Sequence, residues 1–411
     1  MISRLSRRLA IAVGIATVAG GVLGVGPAAS AVPDGVPSLA EGTVRYADLP
    51  QSVPGSYIVV LKDGKASADS VRIASTTLAA RYDGSVQYTY TAALKGFAVR
   101  TSSAQARALA ADPSVDYVAQ DQTVSLSVFV QPNPPSWGLD RIDERSLPLD
   151  LKYHFPSVAN GIRAYIIDTG LRYTHQEFGG RAIFGFDAFG GTGDDCHGHG
   201  THVGGTVGGR SVGVAKGVTL IAVRVLNCAG SGTFAQVIAG VDFVTADQAN
   251  PGRPSVANMS LGGGFFQPLN DAVTNSIAAN VHYSIAAGNS NADACLFSPA
   301  STPRATTVGA TDITDNRALF SNIGPCIDVF APGTNIYSAW YTADDAYATL
   351  SGTSMSAPHA AGTAALWRQR FPADNADAVH NAINANATPG VVINPGLGSP
   401  DRLLYMGMVP A

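Results

Sequence analysis

Apolar positions follow two different rhythms along the chain. From 56 to 126 they come as strand-length runs broken by helical spacings. Ser56-Tyr57-Ile58-Val59-Val60-Leu61 predicts a strand, 67–82 a helix, 86–91 and 96–100 two strands, 105–111 a short helix and 115–124 a last strand. That order is a small α+β sandwich of ferredoxin-like plan. A unit of this size buries only a marginal core and by itself points to no chemistry. Residues 32–55, rich in Pro, Ser and Gly, read as a linker.

From 127 onward the runs are short and mostly apolar. Ala164-Tyr165-Ile166-Ile167 is short and unbroken, as expected of a strand buried on both faces, and 220–226, 257–261 and 283–287 read as further strands. Between them Phe234, Val237, Ile238, Val241 and Val244 recur at helical spacing, and 269–281 reads as a second helix. Strand and helix in alternation predict an α/β domain over 127–411, three layers with a mostly parallel sheet between helices. Such sheets place their sites at the carboxyl ends of strands. The runs end in Asp168-Thr169-Gly170, Gly262-Gly263-Gly264 and Gly288-Asn289. The triple glycine lacks the spacing of a dinucleotide fingerprint.

The N-terminus does not belong to this pattern. Arg4, Arg7 and Arg8 precede an apolar stretch, 9–25, and Ala29-Ser30-Ala31 offers a small-x-small cleavage site. This is the form of a secretory signal peptide, 1–31, so the protein is expected to be extracellular. No other stretch is apolar enough to span a bilayer. The 411 residues are 46% hydrophobic and 14% charged, with 45 glycines, which suits a large, tightly packed core rather than disorder. A formal net charge of -4 gives no reason to expect nucleic acid or an anionic membrane as partner. Export gives the four cysteines, Cys196, Cys228, Cys295 and Cys326, a structural meaning: an even count in a secreted chain favours disulfides, with three pairings open.

The candidate chemistry centres on residues 350–361, Leu-Ser-Gly-Thr-Ser-Met-Ser-Ala-Pro-His-Ala-Ala. An extended run gives way to a helix there, and Gly352 and Thr353 turn the corner before Ser354. A serine at a helix start lies beside free backbone N–H groups and the positive end of the helix dipole. Its own N–H can then help to hold an oxyanion. Pro358 falls early, where a lost N–H costs least. In 197–205, His197, His199 and His202 fall within six residues, but no Cys/Asp/Glu set at zinc-like spacing accompanies them. The glycines around them suggest a closely packed helix start presenting one imidazole, His199, as a general base oriented by Asp168. His202 reads as a satisfied, partly buried histidine. Asn289, a buried amide at a strand end, could donate to an oxyanion or merely make a turn.

Together, Asp168-Thr169-Gly170, His199-Gly200-Thr201-His202-Val203, Ala287-Gly288-Asn289 and Gly352-Thr353-Ser354-Met355-Ser356-Ala357-Pro358 resemble the subtilisin-like serine proteases, or subtilases. The order Asp, His, Ser is the subtilase order. The opening at 137–143 and the stretch 298–301 resemble the proteinase K and aqualysin subgroup. The resemblance implies Ser354 as nucleophile, His199 as base, Asp168 as its orienting partner and Asn289 in the oxyanion hole. It implies that Gly230-Ser231-Gly232 and Ser260-Leu261-Gly262 hold a substrate as an added β-strand. Ala286, Ala287 and Gly288 would wall a roomy pocket for apolar or aromatic side chains before the cut bond. It implies the pairing Cys196–Cys228 and Cys295–Cys326.

The resemblance also gives 56–126 a role, that of an inhibitor-like propeptide that assists folding, blocks the site and is removed autocatalytically near 124–131. Structural calcium is implied at Asp140, Asp143, Glu144 and Asp150, although Lys152 stands where another oxygen ligand would be expected. A second calcium site is implied at Asp328 with the carbonyls of Pro303 and Ala305. No organic cofactor, nucleic acid or mature membrane contact is implied; the partners are protein substrates and the chain's own propeptide, and a monomer is expected. After Leu403-Leu404-Tyr405 the chain stops at Ala411, and no further module is expected. Gly204 and the pair Ser356-Ala357 depart from the usual family pattern but keep side chains small. An inactive peptide-binding relative would show a lost triad member, and none is lost. An α/β hydrolase would need a G-x-S-x-G elbow and the order Ser, acid, His, and neither is present.

Overall fold

The computed structural model describes residues 41–47, 49, 52–62, 67–122, 129–249 and 254–409. The expected signal peptide and much of the expected cleavage region lie outside the described residues. The chain divides into two compact units at Ser125/Leu126.

The first unit is a five-stranded sheet in the order Val44–Arg45, Val115–Gln122, Ser52–Leu61, Gly96–Arg100, Ser85–Tyr90. Two helices, Ala68–Arg81 and Ser103–Ala110, each begin at a serine whose hydroxyl accepts an N–H of the first turn. Val59, Val71, Phe97, Leu109 and Val118 are completely or almost completely buried between helices and sheet. Part of the stretch read as a linker is sheet: Val44–Arg45 lies parallel to Val118–Ala119, and the first long strand starts at Ser52. A two-residue strand has no period to detect, and Pro54-Gly55 hides the start of the other, where the register shifts.

The second unit carries a nine-stranded sheet. Its order is Thr388–Pro389, Arg402–Leu403, Val329–Pro332, Thr306–Thr311, Val281–Ala286, Ser255–Met259, Arg163–Asp168, Thr219–Arg224, Ala182–Asp187. Every pairing is parallel except the first. Alternation along the strands sends side chains to two cores. Ala164, Ile166, Leu220, Ala222 and Val256 join the helices His199–Gly208 and Thr353–Arg370 on one face. Tyr165, Ile167, Ile221, Val223 and Ala257 join the helices Phe234–Ala249 and Gln267–Ala278 on the other. The predicted helix 269–281 is shorter at its end: Asn280, at φ +75°, breaks it, and Val281 opens the next strand.

The disulfides are Cys196–Cys228 and Cys295–Cys326, closing loops of 32 and 31 positions. Loops of that length are each worth about 3–4 kcal/mol in the chain-entropy account. Among the described residues no helix is long and apolar enough to cross a membrane.

Candidate active site

Asp168 is the last residue of the central strand Arg163–Asp168 and is fully buried. The strand pairing puts it beside Arg224, and its backbone carbonyl accepts from the N–H groups of Val225 and Leu226. Its carboxylate accepts from the Thr169 N–H at 2.8 Å and faces His199 Nδ1, 2.8 Å from Oδ1 and 3.0 Å from Oδ2. That bond fixes the tautomer, with the proton on Nδ1 and the free lone pair on Nε2. Burial pulls the imidazole pKa down. The Asp168 charge and hydrogen bond, and more weakly Asp195, outweigh it and raise His199 above the ordinary value.

His199 begins its helix after Gly198, at φ +109°, a conformation that suits glycine. The other histidines do structural work. His202 is fully rather than partly buried, binds the Ile336 carbonyl through Nε2 at 3.0 Å, and is pushed down to about 4 chiefly by burial. His197 is half-buried and lines the cleft beside Gly230.

Ser354 stands in the first turn of the helix Thr353–Arg370, whose N-cap is Gly352. The preceding extended run, Tyr347–Leu350, pairs with Ile336–Ala339 rather than with the main sheet. Pro358 is not in the first turn but is the sixth residue of the helix. Its missing N–H frees the Ser354 carbonyl, which accepts instead from Ser260 Oγ at 2.8 Å. Ser354 Oγ in turn donates to the Ser260 carbonyl at 3.2 Å rather than to His199. Behind the serine, Ala357, Ala360, Ala361, Ala364 and Ala365 are fully buried, and their small side chains let the helix lie close to the sheet.

Asn289 follows the end of the strand Val281–Ala286 and is exposed, not buried as the sequence suggested, because it opens onto the cleft. Its Oδ1 accepts from both Thr353 N and Thr353 Oγ1 at 2.9 Å, which leaves Nδ2 as the outward donor. The Thr353 hydroxyl also accepts the Gly288 N–H at 3.1 Å. Thr353 thus locks the amide orientation, a role the sequence did not reveal.

His199, Asn289, Thr353 and Ser354 open on a cleft of about 730 Å³. Gly230, Ser231, Gly232, Ser260, Leu261, Gly262, Ala286, Ala287 and Gly288 all line it. So do Phe297 and Leu226, which the sequence reading did not single out as site residues, and Phe234, whose helical spacing pointed to the core instead. Phe234 is stacked on Phe266 with centroids 4.6 Å apart, which makes one wall aromatic.

Of the acidic residues expected to bind calcium, Asp140, Glu144 and Asp150 come together, with ligand oxygens within 4.8 Å of one another. Asp140 Oδ1 and Glu144 Oε2 are buried with no hydrogen-bond partner, while their other oxygens accept from the Leu151 and Asp150 N–H groups. Burial, joined by the neighbouring carboxylates, raises both pKa values. Orphaned, hard oxygen donors of this kind fit a divalent cation. Lys152 Nζ lies 3.1 Å from Asp150 Oδ2 and competes for that charge. Asp143 is turned away and bonds the His154 N–H and ring instead; burial pushes it up to about 7 despite those bonds.

Asp328 accepts from Thr307 N at 2.8 Å, just after Pro303 and Ala305. Its other oxygen faces Asn384 Nδ2 at 3.4 Å and His380 Nε2 at 3.7 Å.

Residues 160–402 match Peptidase_S8, the subtilase family, and residues 56–127 match the peptidase inhibitor I9 family. An extracellular serine proteinase of Thermus sp. (strain Rt41A) is 46% identical over 390 residues, covering 90% of this chain and 93% of the relative. An alkaline serine exoprotease A of Vibrio alginolyticus is 44% identical, covering 91% of this chain and 70% of its own. The crystal structure of a cold adapted subtilisin-like serine proteinase is 49% identical, with TM-score 0.63, covering 66% of this chain and 97% of that one. With an inhibitor-type unit ahead of a peptidase unit that matches over more than half its length, the chain belongs to the subtilase family of serine endopeptidases.

Proposed function

We propose that this subtilase is a secreted endopeptidase, made as a zymogen, that cuts proteins through Ser354, His199 and Asp168. The observation that carries the reading is that His199, held to the buried Asp168 at 2.8 Å, lines the same cleft as Ser354. Ser354 Oγ attacks the scissile carbonyl while His199 Nε2 takes its proton. The tetrahedral oxyanion accepts from Asn289 Nδ2 and the Ser354 N–H. His199 then gives the proton to the leaving amine, and water cleaves the acyl-enzyme by the same route. Asp168 stabilises the imidazolium through its bond to Nδ1. In the free site the Ser354 hydroxyl must rotate from Ser260 to His199, in keeping with catalytic hydrogen bonds that align when substrate binds.

Gly230–Gly232 and Ser260–Gly262 hold the substrate as an added strand. The small walls at Ala286, Ala287 and Gly288 favour apolar or aromatic side chains before the cut bond. Asp140, Glu144 and Asp150 would hold a structural calcium, which would neutralise their charge and take no part in the chemistry; Asp328 with the Pro303 and Ala305 carbonyls would hold a second ion only with the Asn384 and His380 side chains moved off its free oxygen. The N-terminal I9 unit acts as an intramolecular inhibitor until self-cleavage. The protein is tested as secreted: casein and a chromogenic peptide with Phe before the cut bond should be hydrolysed, and a serine-directed inhibitor should abolish this. Ser354→Ala should remain unprocessed and inactive; a shortened, active S354A chain made without added protease would defeat the assignment.

A further inference from the structure

Asp195 stands outside the groups that handle protons or the acyl group, yet both of its oxygens are used where two of those groups meet. Oδ1 accepts from Thr169 Oγ1 at 2.9 Å, from His197 N at 2.9 Å and from Gly198 N at 2.8 Å. Oδ2 accepts from Thr201 N at 2.8 Å and Thr201 Oγ1 at 2.6 Å. Thr169 follows Asp168 directly, and its hydroxyl also accepts the Gly200 N–H at 2.9 Å. One carboxylate therefore ties the end of the strand that holds Asp168 to the first turn of the helix that holds His199.

The sequence leaves this junction without a local cap. The N-cap of the helix is Gly198, which has no side chain to accept the first N–H groups. Asp195 and Thr169 accept them from outside the helix, and a negative charge there is favoured by the helix dipole. Hydrogen bonds to an ionised acceptor are about twice as strong as neutral ones, so five on one carboxylate make a stiff bracket.

We propose that Asp195 is a positioning residue: its bracket holds the His199 ring in the one setting that directs Nδ1 to Asp168 and Nε2 to the cleft. The proposal rests on the assignment of Asp168, His199 and Ser354 above. Asp195 touches no substrate and transfers no proton; it acts through His199.

The test is Asp195→Asn in the secreted, matured protein, with active sites counted by a serine-directed titrant. Asn keeps an acceptor for one side of the bracket and sets an amide NH₂ against the other. Loosening the imidazole by part of an ångström should lower kcat per titrated site by about 10- to 100-fold with KM little changed. Removing the charge should also move the acid limb of the kcat/KM profile to lower pH, since Asp195 helps to raise the His199 pKa. A part in folding alone would reduce the number of titratable sites and leave kcat per site and the acid limb as in wild type; that result overturns the proposal. If D195N is not secreted, Thr169→Val decides. It cuts the strand-to-bracket tie and keeps the charge, so kcat should fall with KM and the acid limb in place, and an unchanged kcat overturns the proposal. Ser354→Ala is run beside both. Wild-type hydrolysis by S354A would sink the triad assignment itself, whatever the Asp195 variants do.

Discussion

Two glycines four residues apart on one helix should respond to the same substitution in opposite ways. Gly200 lies between His199 and Thr201. A Cβ there would overlap the Gly170 backbone carbonyl and stand 3.1 Å from both Gly170 N and Thr169 Oγ1. The obstacle is the turn that follows Asp168, and backbone cannot swing aside as a side chain can. Gly200→Ala must therefore push the His199 helix away from the end of the Asp168 strand. Relieving the overlap takes on the order of 1 Å, and misplacement of that size costs about 100-fold in rate. The 2.8 Å bond from His199 Nδ1 to Asp168 would be stretched out of hydrogen-bonding range. Complete loss of the orienting carboxylate costs about 10⁴-fold, which sets the upper bound.

Gly204, one turn further on, faces a different neighbour. A Cβ there would meet Leu171 Cδ2 at 2.6 Å, the mobile end of a side chain, with Phe178 and Ile166 atoms no nearer than 3.7 Å. Gly204→Ala should keep wild-type kcat. It gains about 0.5–1 kcal/mol of helix propensity, partly offset by repacking Leu171. The assay is kcat and KM per titrated site for both variants, with a thermal melt of the inhibitor-blocked enzyme to confirm that each is folded. A folded G200A enzyme with wild-type kcat, or a G204A enzyme as impaired as G200A, would refute the geometric reasoning.

Asn289→Ala removes the proposed oxyanion donor and should lower kcat by about 10²–10³-fold with KM nearly constant. Thr353→Val, which releases the amide without deleting it, should cost less, and equal losses would argue against the anchoring role. The acid limb of kcat/KM should lie above the ordinary histidine value, because His199 must be neutral to accept a proton and its pKa is raised. A limb below that value would contradict the balance of Asp168 over burial. Chelation should lower the melting temperature: a cation at a hundred times its Kd adds about 2.7 kcal/mol, or about 4–5 °C for a domain of this size. Asp140→Asn with Glu144→Gln should remove most of that difference, and an unchanged response to EDTA would rule out cation binding at this cluster.

Much of this could be read from residue order because the chemistry sits at strand ends. Short, mostly apolar runs mark the buried parallel strands, and whatever ends such a run lies on one rim of the sheet. Asp168 and Asn289 were legible for that reason. The Ser354 helix was legible by composition and not by period. Thr353–Arg370 is buried on nearly every side, so it presents no polar stripe; small residues stand where the sheet presses close. What stayed hidden was set by contacts across the fold. Asp143 looks like a member of the acidic cluster until His154, eleven residues later, takes its carboxylate. Asp195 looks like a loop residue because four of its five donors are backbone N–H groups or hydroxyls just ahead, which no side-chain pattern records.

Pro358 shows how a local misreading can lead to the longer-range logic. Placed in the first turn, it would only spare an N–H that had no partner anyway. Placed one turn further in, it breaks a helical bond whose acceptor is the carbonyl of Ser354 itself. That carbonyl is then free to take the Ser260 hydroxyl, while the Ser260 carbonyl takes the Ser354 hydroxyl. The two serines, 94 positions apart, form a reciprocal pair that binds the helix start to the segment Ser260–Gly262 on the cleft wall. A substrate strand added to that segment would compete for the same Ser260 carbonyl and so release the Ser354 hydroxyl toward His199. On this account the proline, a poor choice for the helix taken alone, links occupation of the cleft to the readiness of the nucleophile.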